Sequence, residues 1–132
     1  MLLTVFIPII MSAQYDLTVH VENIKNTNGE IRVAIYDKAA GFLKFDKVFK
    51  AAAKKAIKGK TTLVLKDIPS GTYALAVFHD ENSNEKLDTN FMGIPKEPLG
   101  FSMAKMKTFG PPSFEECSFK LSGVRDITIE IK

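Results

Sequence analysis

Acidic and amide side chains recur on alternate residues in the stretch from His79 to Asn90, HDENSNEKLDTN. With Asp80 as position one, Asn82 and Asn84 fall at three and five, the main-chain carbonyl of Lys86 at seven, the apolar Leu87 at eight and Asp88 at nine. Calcium takes about six to eight oxygens, and a tight turn with acceptors on every second residue wraps them around one point. The candidate metal ligands are therefore Asp80, Asn82, Asn84, Lys86 through its carbonyl, and Asp88, with Glu81, Asn90, Glu97 or water to complete the shell. The run is not an EF-hand, because Glu85 stands where the sharp turn favours glycine and Phe91 where a bidentate acid belongs. Two firmly placed carboxylates predict weak binding, about 10⁻⁴ to 10⁻³ M, a range suited to extracellular calcium. The competing use of the same side chains is to bond their own backbone in Asx-turns.

Nucleophiles and general bases are few. His20, His79 and Cys117 are the candidates, and none sits in a recognisable catalytic motif. His20 lies on the polar side of an alternating run and reads as an exposed strand residue. His79 adjoins Asp80, but neighbouring strand residues point to opposite faces. An enzyme built here would be metal-dependent, with its site around His79, Asp80, Asp88 and Glu97. Cys117 follows Glu116, and a nearby acid raises a thiol's pKa, so an inert buried thiol is expected. There is no P-loop, dinucleotide-binding glycine pattern, nucleophile elbow or Cys/His zinc spacing.

The elements that must position these residues show a two-residue period. Leu17, Val19 and Val21 alternate with polar residues in a first strand, and Ile31, Val33 and Ile35 do so in a second. Asn28-Gly29 between them predicts a tight hairpin that returns strand two beside strand one. Residues 38–47 have no clear period and read as a loop dipping into the core. Val48 to Lys58, VFKAAAKKAIK, reads equally as helix or as strand, since Ala and Lys favour helix in a β-rich context. Lys60 to Asp67 and Thr72 to Asp80, joined by Ile68-Pro69-Ser70-Gly71, predict a second hairpin. A short strand around Cys117 to Leu121 and a last one from Val124 to Lys132 follow. Phe91 to Ser102 is a stiff apolar loop that either caps the core with its own side chains or serves as a recognition surface. Phe109, Pro111, Pro112 and Phe114 extend its character.

The fold class expected is all-β, an antiparallel Ig-like or transthyretin-like sandwich of about seven strands. At 132 residues the chain holds one core. Met1 to Ile10, MLLTVFIPII, is too short to span a bilayer but suits the apolar region of a signal peptide, without the usual basic start. Residues 1–14 are thus expected to be a signal peptide with cleavage near Ala13 or Gln14, and residues 15–132 a single domain. Localisation is expected to be periplasmic or secreted, with no transmembrane span after signal removal. One cysteine excludes an internal disulfide, and a net charge of +3 is only a mild excess. Lys44, Lys47, Lys50, Lys54, Lys55, Lys58 and Lys60 form a basic segment, read as a solvated face or a contact for acidic envelope polymers rather than for nucleic acid.

One set of motifs resembles a known family: Ile68-Pro69-Ser70-Gly71-Thr72-Tyr73-Ala74, His79-Asp80-Glu81-Asn82 with Asn84 and Leu87-Asp88, Gly93-Ile94-Pro95, Glu97, Gly100-Phe101-Ser102 and Gly110-Pro111-Pro112-Ser113-Phe114. Over about Leu17 to Lys132 the chain resembles the bacterial family catalogued as domain of unknown function 2141. The resemblance implies a secreted or periplasmic transthyretin-like sandwich with no established activity. It also tilts Val48 to Lys58 toward strand. The family pattern has Asn-Gly where this chain has Asn84-Glu85. The function expected is an exported, non-enzymatic module that binds an unknown protein or an envelope polysaccharide, with calcium holding the 80–90 loop; the alternative is the metal-dependent enzyme around His79 and Asp80.

Overall fold

The computed structural model describes residues 1–9, 13–92 and 95–132. Ser12, in the expected cleavage region, and Gly93-Ile94 of the apolar loop lie outside the described residues.

Alternation decides the core. β1 (Gln14–Ile24) buries Leu17, Val19 and Val21, β4 (Gly59–Pro69) buries Leu63 and Leu65, and β8 (Arg125–Glu130) buries Ile127 and Ile129. These three strands form one sheet in the order β4-β1-β8, with β1 and β8 parallel. Facing it, β2 (Glu30–Tyr36) contributes Ile31, Val33 and Ile35, and β5 (Gly71–Asp80) contributes Tyr73, Leu75 and Val77. The second sheet runs β3 (Lys50–Lys55), β2, β5 and β6 (Leu99–Phe101), and β7 (Phe119–Leu121) joins β5 beside β6. The two inner faces make one apolar cluster. Burying each such Leu, Ile or Val contributes about 1.5–3 kcal/mol.

The sandwich expected from sequence is therefore present, with eight strands among the described residues rather than seven, and with β1 and β8 parallel among antiparallel pairs. Within Val48 to Lys58, residues 50–55 form strand β3, in antiparallel register with β2, and the flanking residues are irregular. Both expected hairpins differ in one respect. Asn28-Gly29 and Pro69-Ser70-Gly71 do reverse the chain, but β1 and β4 lie in one sheet and β2 and β5 in the other. Each turn hands the chain across the core instead of pairing its flanking strands. Turn chemistry specifies a reversal; which edge receives the returning strand is decided by long-range pairing, here Leu17 with Leu65 and Val33 with Val77. Gly29 is fixed twice over: its φ is +62°, and a Cβ there would stand 1.9 Å from the Asp80 carbonyl oxygen.

Residues 38–47 do not enter the main core. Phe42 and Leu43 pack on the outer face of the five-stranded sheet, with Ala74, Phe101, Cys117 and Phe114. Phe42 meets Tyr36 and Phe114 edge-on at centroid distances of 5.2 and 5.8 Å. Cys117 ends a short helix, α1 (Phe114–Cys117), instead of lying in a strand. Ser113 and Glu116 close a reciprocal capping box at the start of that helix. No helix among the described residues is long and apolar enough to cross a membrane.

Candidate functional site

The sequence-predicted residues meet at one end of the sandwich, where β5 runs out into residues 81–98. Asp80 is the last residue of β5 and is fully buried on the sheet's outer face. A carboxylate there demands partners. Arg32, on the adjoining strand β2, donates from Nε to its Oδ2 at 2.9 Å, and the main-chain N–H groups of Glu85 (2.8 Å) and Asn84 (3.2 Å) donate to its two oxygens. The same guanidinium donates from Nη2 to Glu30 at 2.9 Å and lies 3.7 Å from Glu85. Asp80 thus pins the first turn of the loop to the sheet. Sequence reasoning missed Arg32, which is 48 residues away and comes into reach only through the β2–β5 register.

Glu97 pins the return. It is nearly buried, and its two oxygens accept the N–H of Glu81 at 2.7 Å and of Asp88 at 2.9 Å. Burial pushes its carboxyl above the ordinary value, against the pull of those two donors and with Asp88 and Asp80 adding to the rise. Between the pins, Asn84 and Asn82 donate their side-chain amides to the two oxygens of Asp88, at 2.7 and 2.6 Å, which holds that carboxyl below its usual value. Their own carbonyl oxygens accept N–H groups two residues on, from Lys86 at 3.0 Å and Asn84 at 3.3 Å, in Asx-turns. Glu85, at the position that favours glycine, has φ of +68°.

Of the five candidate ligands, then, Asn82, Asn84 and Asp88 meet side chain to side chain, while the Asp80 carboxylate is engaged by Arg32 and backbone beneath them. Among the described residues no group of three or more His, Cys, Asp or Glu is placed to hold a metal. A shallow cavity of about 350 Å³ opens between Glu81, Asn82, Asp88, Thr89, Lys96 and Glu97. A second of about 360 Å³, more apolar and sharing Glu97, lies over Leu99, Phe101, Ala104 and Met106. Beyond them Phe91 and Met92 project into solvent, 98% and 69% exposed.

The other reactive side chains lie elsewhere. His79 is buried on the opposite face of β5 from Asp80, and its Nε2 contacts the Asn28 carbonyl at 2.5 Å. His20 is a half-buried strand residue between Thr62 (3.0 Å) and Asp126 (3.3 Å). The Cys117 thiol is buried and pushed up to about 11 by burial and by Glu116, so it carries no thiolate at neutral pH.

No curated protein and no solved structure matches the chain. A family described as an uncharacterized protein conserved in bacteria, DUF2141, matches residues 19–129, which span both sheets and the whole 80–97 loop. The chain belongs to that family.

Proposed function

We propose that this protein is an exported, non-enzymatic binding module whose recognition surface is the loop after β5, presented to a protein or an envelope polysaccharide. One observation carries the reading: the loop's carboxylates and amides bond one another, Arg32 and the backbone, while Phe91 and Met92 face outward. Such a loop is held in shape before it meets a partner, which lowers the ordering cost of association. The enzymatic alternative would need the His79 imidazole on the loop side of β5, and its contact with Asn28 lies on the other.

The test is retention of a partner from bacterial envelope extract on the immobilised full chain, compared with a Phe91→Ser/Met92→Ser variant. A component held by the first and released by the second supports the proposal. Equal retention on both overturns it, as does turnover of a small molecule that disappears in His79→Gln.

A second reading rests on the convergence of Asn82, Asn84 and Asp88. These three, with the Lys86 carbonyl, are the groups that would hold calcium weakly, and Asp80 would support them from below through the N–H groups of Asn84 and Glu85. Calcium at about millimolar concentration then raises Tm of the wild type and leaves Asp88→Ala unmoved. An unchanged wild-type Tm ends that reading.

A further inference from the structure

Charge is divided unevenly along this chain. Residues 38–66 hold nine lysines and one acid, Asp46, whereas the remainder holds nine lysines and arginines against fourteen acids. The fold carries much of that bias into space, with Glu22 opposite Lys60 and Glu30 opposite Lys55 as the facing acids. β3 and β4 are the outer strands of their two sheets, run side by side along one flank of the sandwich and are joined by residues 56–58. We propose that this flank docks on an anionic lipid bilayer. The proposal depends neither on export nor on the loop after β5.

Two observations favour a bilayer over other polyanions or a protein strand. First, the flank is closed to strand addition along part of its length. Lys50 and Lys54 reach from β3 to the carbonyls of Lys66 and Thr62 on β4, so edge acceptors that an added strand would use are already bonded. Second, large apolar side chains stand exposed on the flank and on the connection that leads into it: Ile57 (51%) and Val64 (48%) on or between β3 and β4, and Phe45 (85%) and Phe49 (43%) just before β3. Each is within two residues of a lysine. A soluble polyanion uses only the charges, whereas a bilayer also takes aromatic and aliphatic side chains below its headgroups. Asp80, at the end of β5, is separated from Lys55 of β3 by Glu30 of β2, so the acidic loop and that end of the flank lie two strands apart.

The experiment is co-sedimentation of the full chain with vesicles of phosphatidylglycerol and phosphatidylcholine in equal parts, and with pure phosphatidylcholine. Binding to the anionic vesicles is expected to exceed binding to the neutral ones at least about tenfold and to weaken as salt is raised from about 50 to 500 mM. Lys55→Glu/Lys58→Glu/Lys60→Glu is expected to remove most of that excess. Lys105→Glu/Lys120→Glu/Lys132→Glu, which makes the same change in net charge off the flank, should leave it within about twofold. Phe45→Ser, at a position too exposed to unsettle the core, should reduce it several-fold. Circular dichroism checks that each variant is folded. The proposal is overturned by equal binding to both vesicle types, by equal loss in the two triple variants, by no effect of Phe45→Ser, or by binding confined to soluble polyphosphate or to a second copy of the chain.

Discussion

The five-stranded sheet carries two long connections, residues 37–49 and 81–98, and they are held by different physics. The first has no regular pattern and is fastened by shape, with Phe42 set edge-on between Tyr36 and Phe114 and Leu43 packed beside it. The second is fastened by charge and hydrogen bonds, through Asp80 on Arg32 and Glu97 on two main-chain N–H groups. Shape-fastened segments fail when volume is removed. Charge-fastened ones fail when a single partner is removed, because the other is left buried and unpaired.

That contrast orders the expected effects. Asp80→Ala strands the Arg32 guanidinium and two N–H groups, and should cost about 3 kcal/mol by urea unfolding, the low end for a broken buried pair because Arg32 keeps some water contact. An Asp80→Ala protein as stable as wild type would break the comparison. Phe42→Ala removes a half-buried ring and two edge contacts, and should cost about 2 kcal/mol, less than a fully buried Phe. Protection of the 81–98 amides from exchange should survive Phe42→Ala and fall in Asp80→Ala. Glu85→Gly relieves a left-handed residue and should stabilise by about 0.5–1 kcal/mol, after allowing for glycine's greater freedom when unfolded.

The smallest effect is on pH dependence, and its sign differs between two carboxyls of one loop. Glu97 binds its proton more readily folded than unfolded, so stability declines as pH rises from its ordinary value of 4.5 to its raised one. Asp88 does the reverse: its contribution is present above its ordinary 3.8 and is lost as pH falls toward the lowered value. Tm followed from below pH 3.8 to above pH 4.5 should lose its high-pH decline in Glu97→Gln and its low-pH decline in Asp88→Asn. Phe42→Ala should lower the whole curve without changing its shape.

The same division explains what could be read from sequence. β1, β2 and β8 were legible because each buries one face, so Leu17-Val19-Val21 and Ile127-Ile129-Ile131 alternate in the chain as they do in space. β3 was ambiguous because Lys50–Lys55 is an edge strand of alanine and lysine with little to bury. The polar ladder from Asp80 to Asp88 was visible as a spacing, and Glu97 as an accessory oxygen. What stayed hidden was the direction each group faces. Asp80 belongs to Arg32 by virtue of a strand register, and no local pattern encodes a partner 48 residues distant. The two connections across the core were misread as hairpins for the same reason.

The parallel pairing of β1 with β8 joins residues 17–22 to residues 125–130. A ribosome making this protein must therefore emit more than a hundred residues before the central strand of the smaller sheet can acquire its second neighbour. Until then Val19 and Val21 have nothing on that side, and the nascent polypeptide waits with an unfinished wall. Closing so large a loop is entropically slow, so folding should be limited by the arrival of the last strand rather than by any turn along the way.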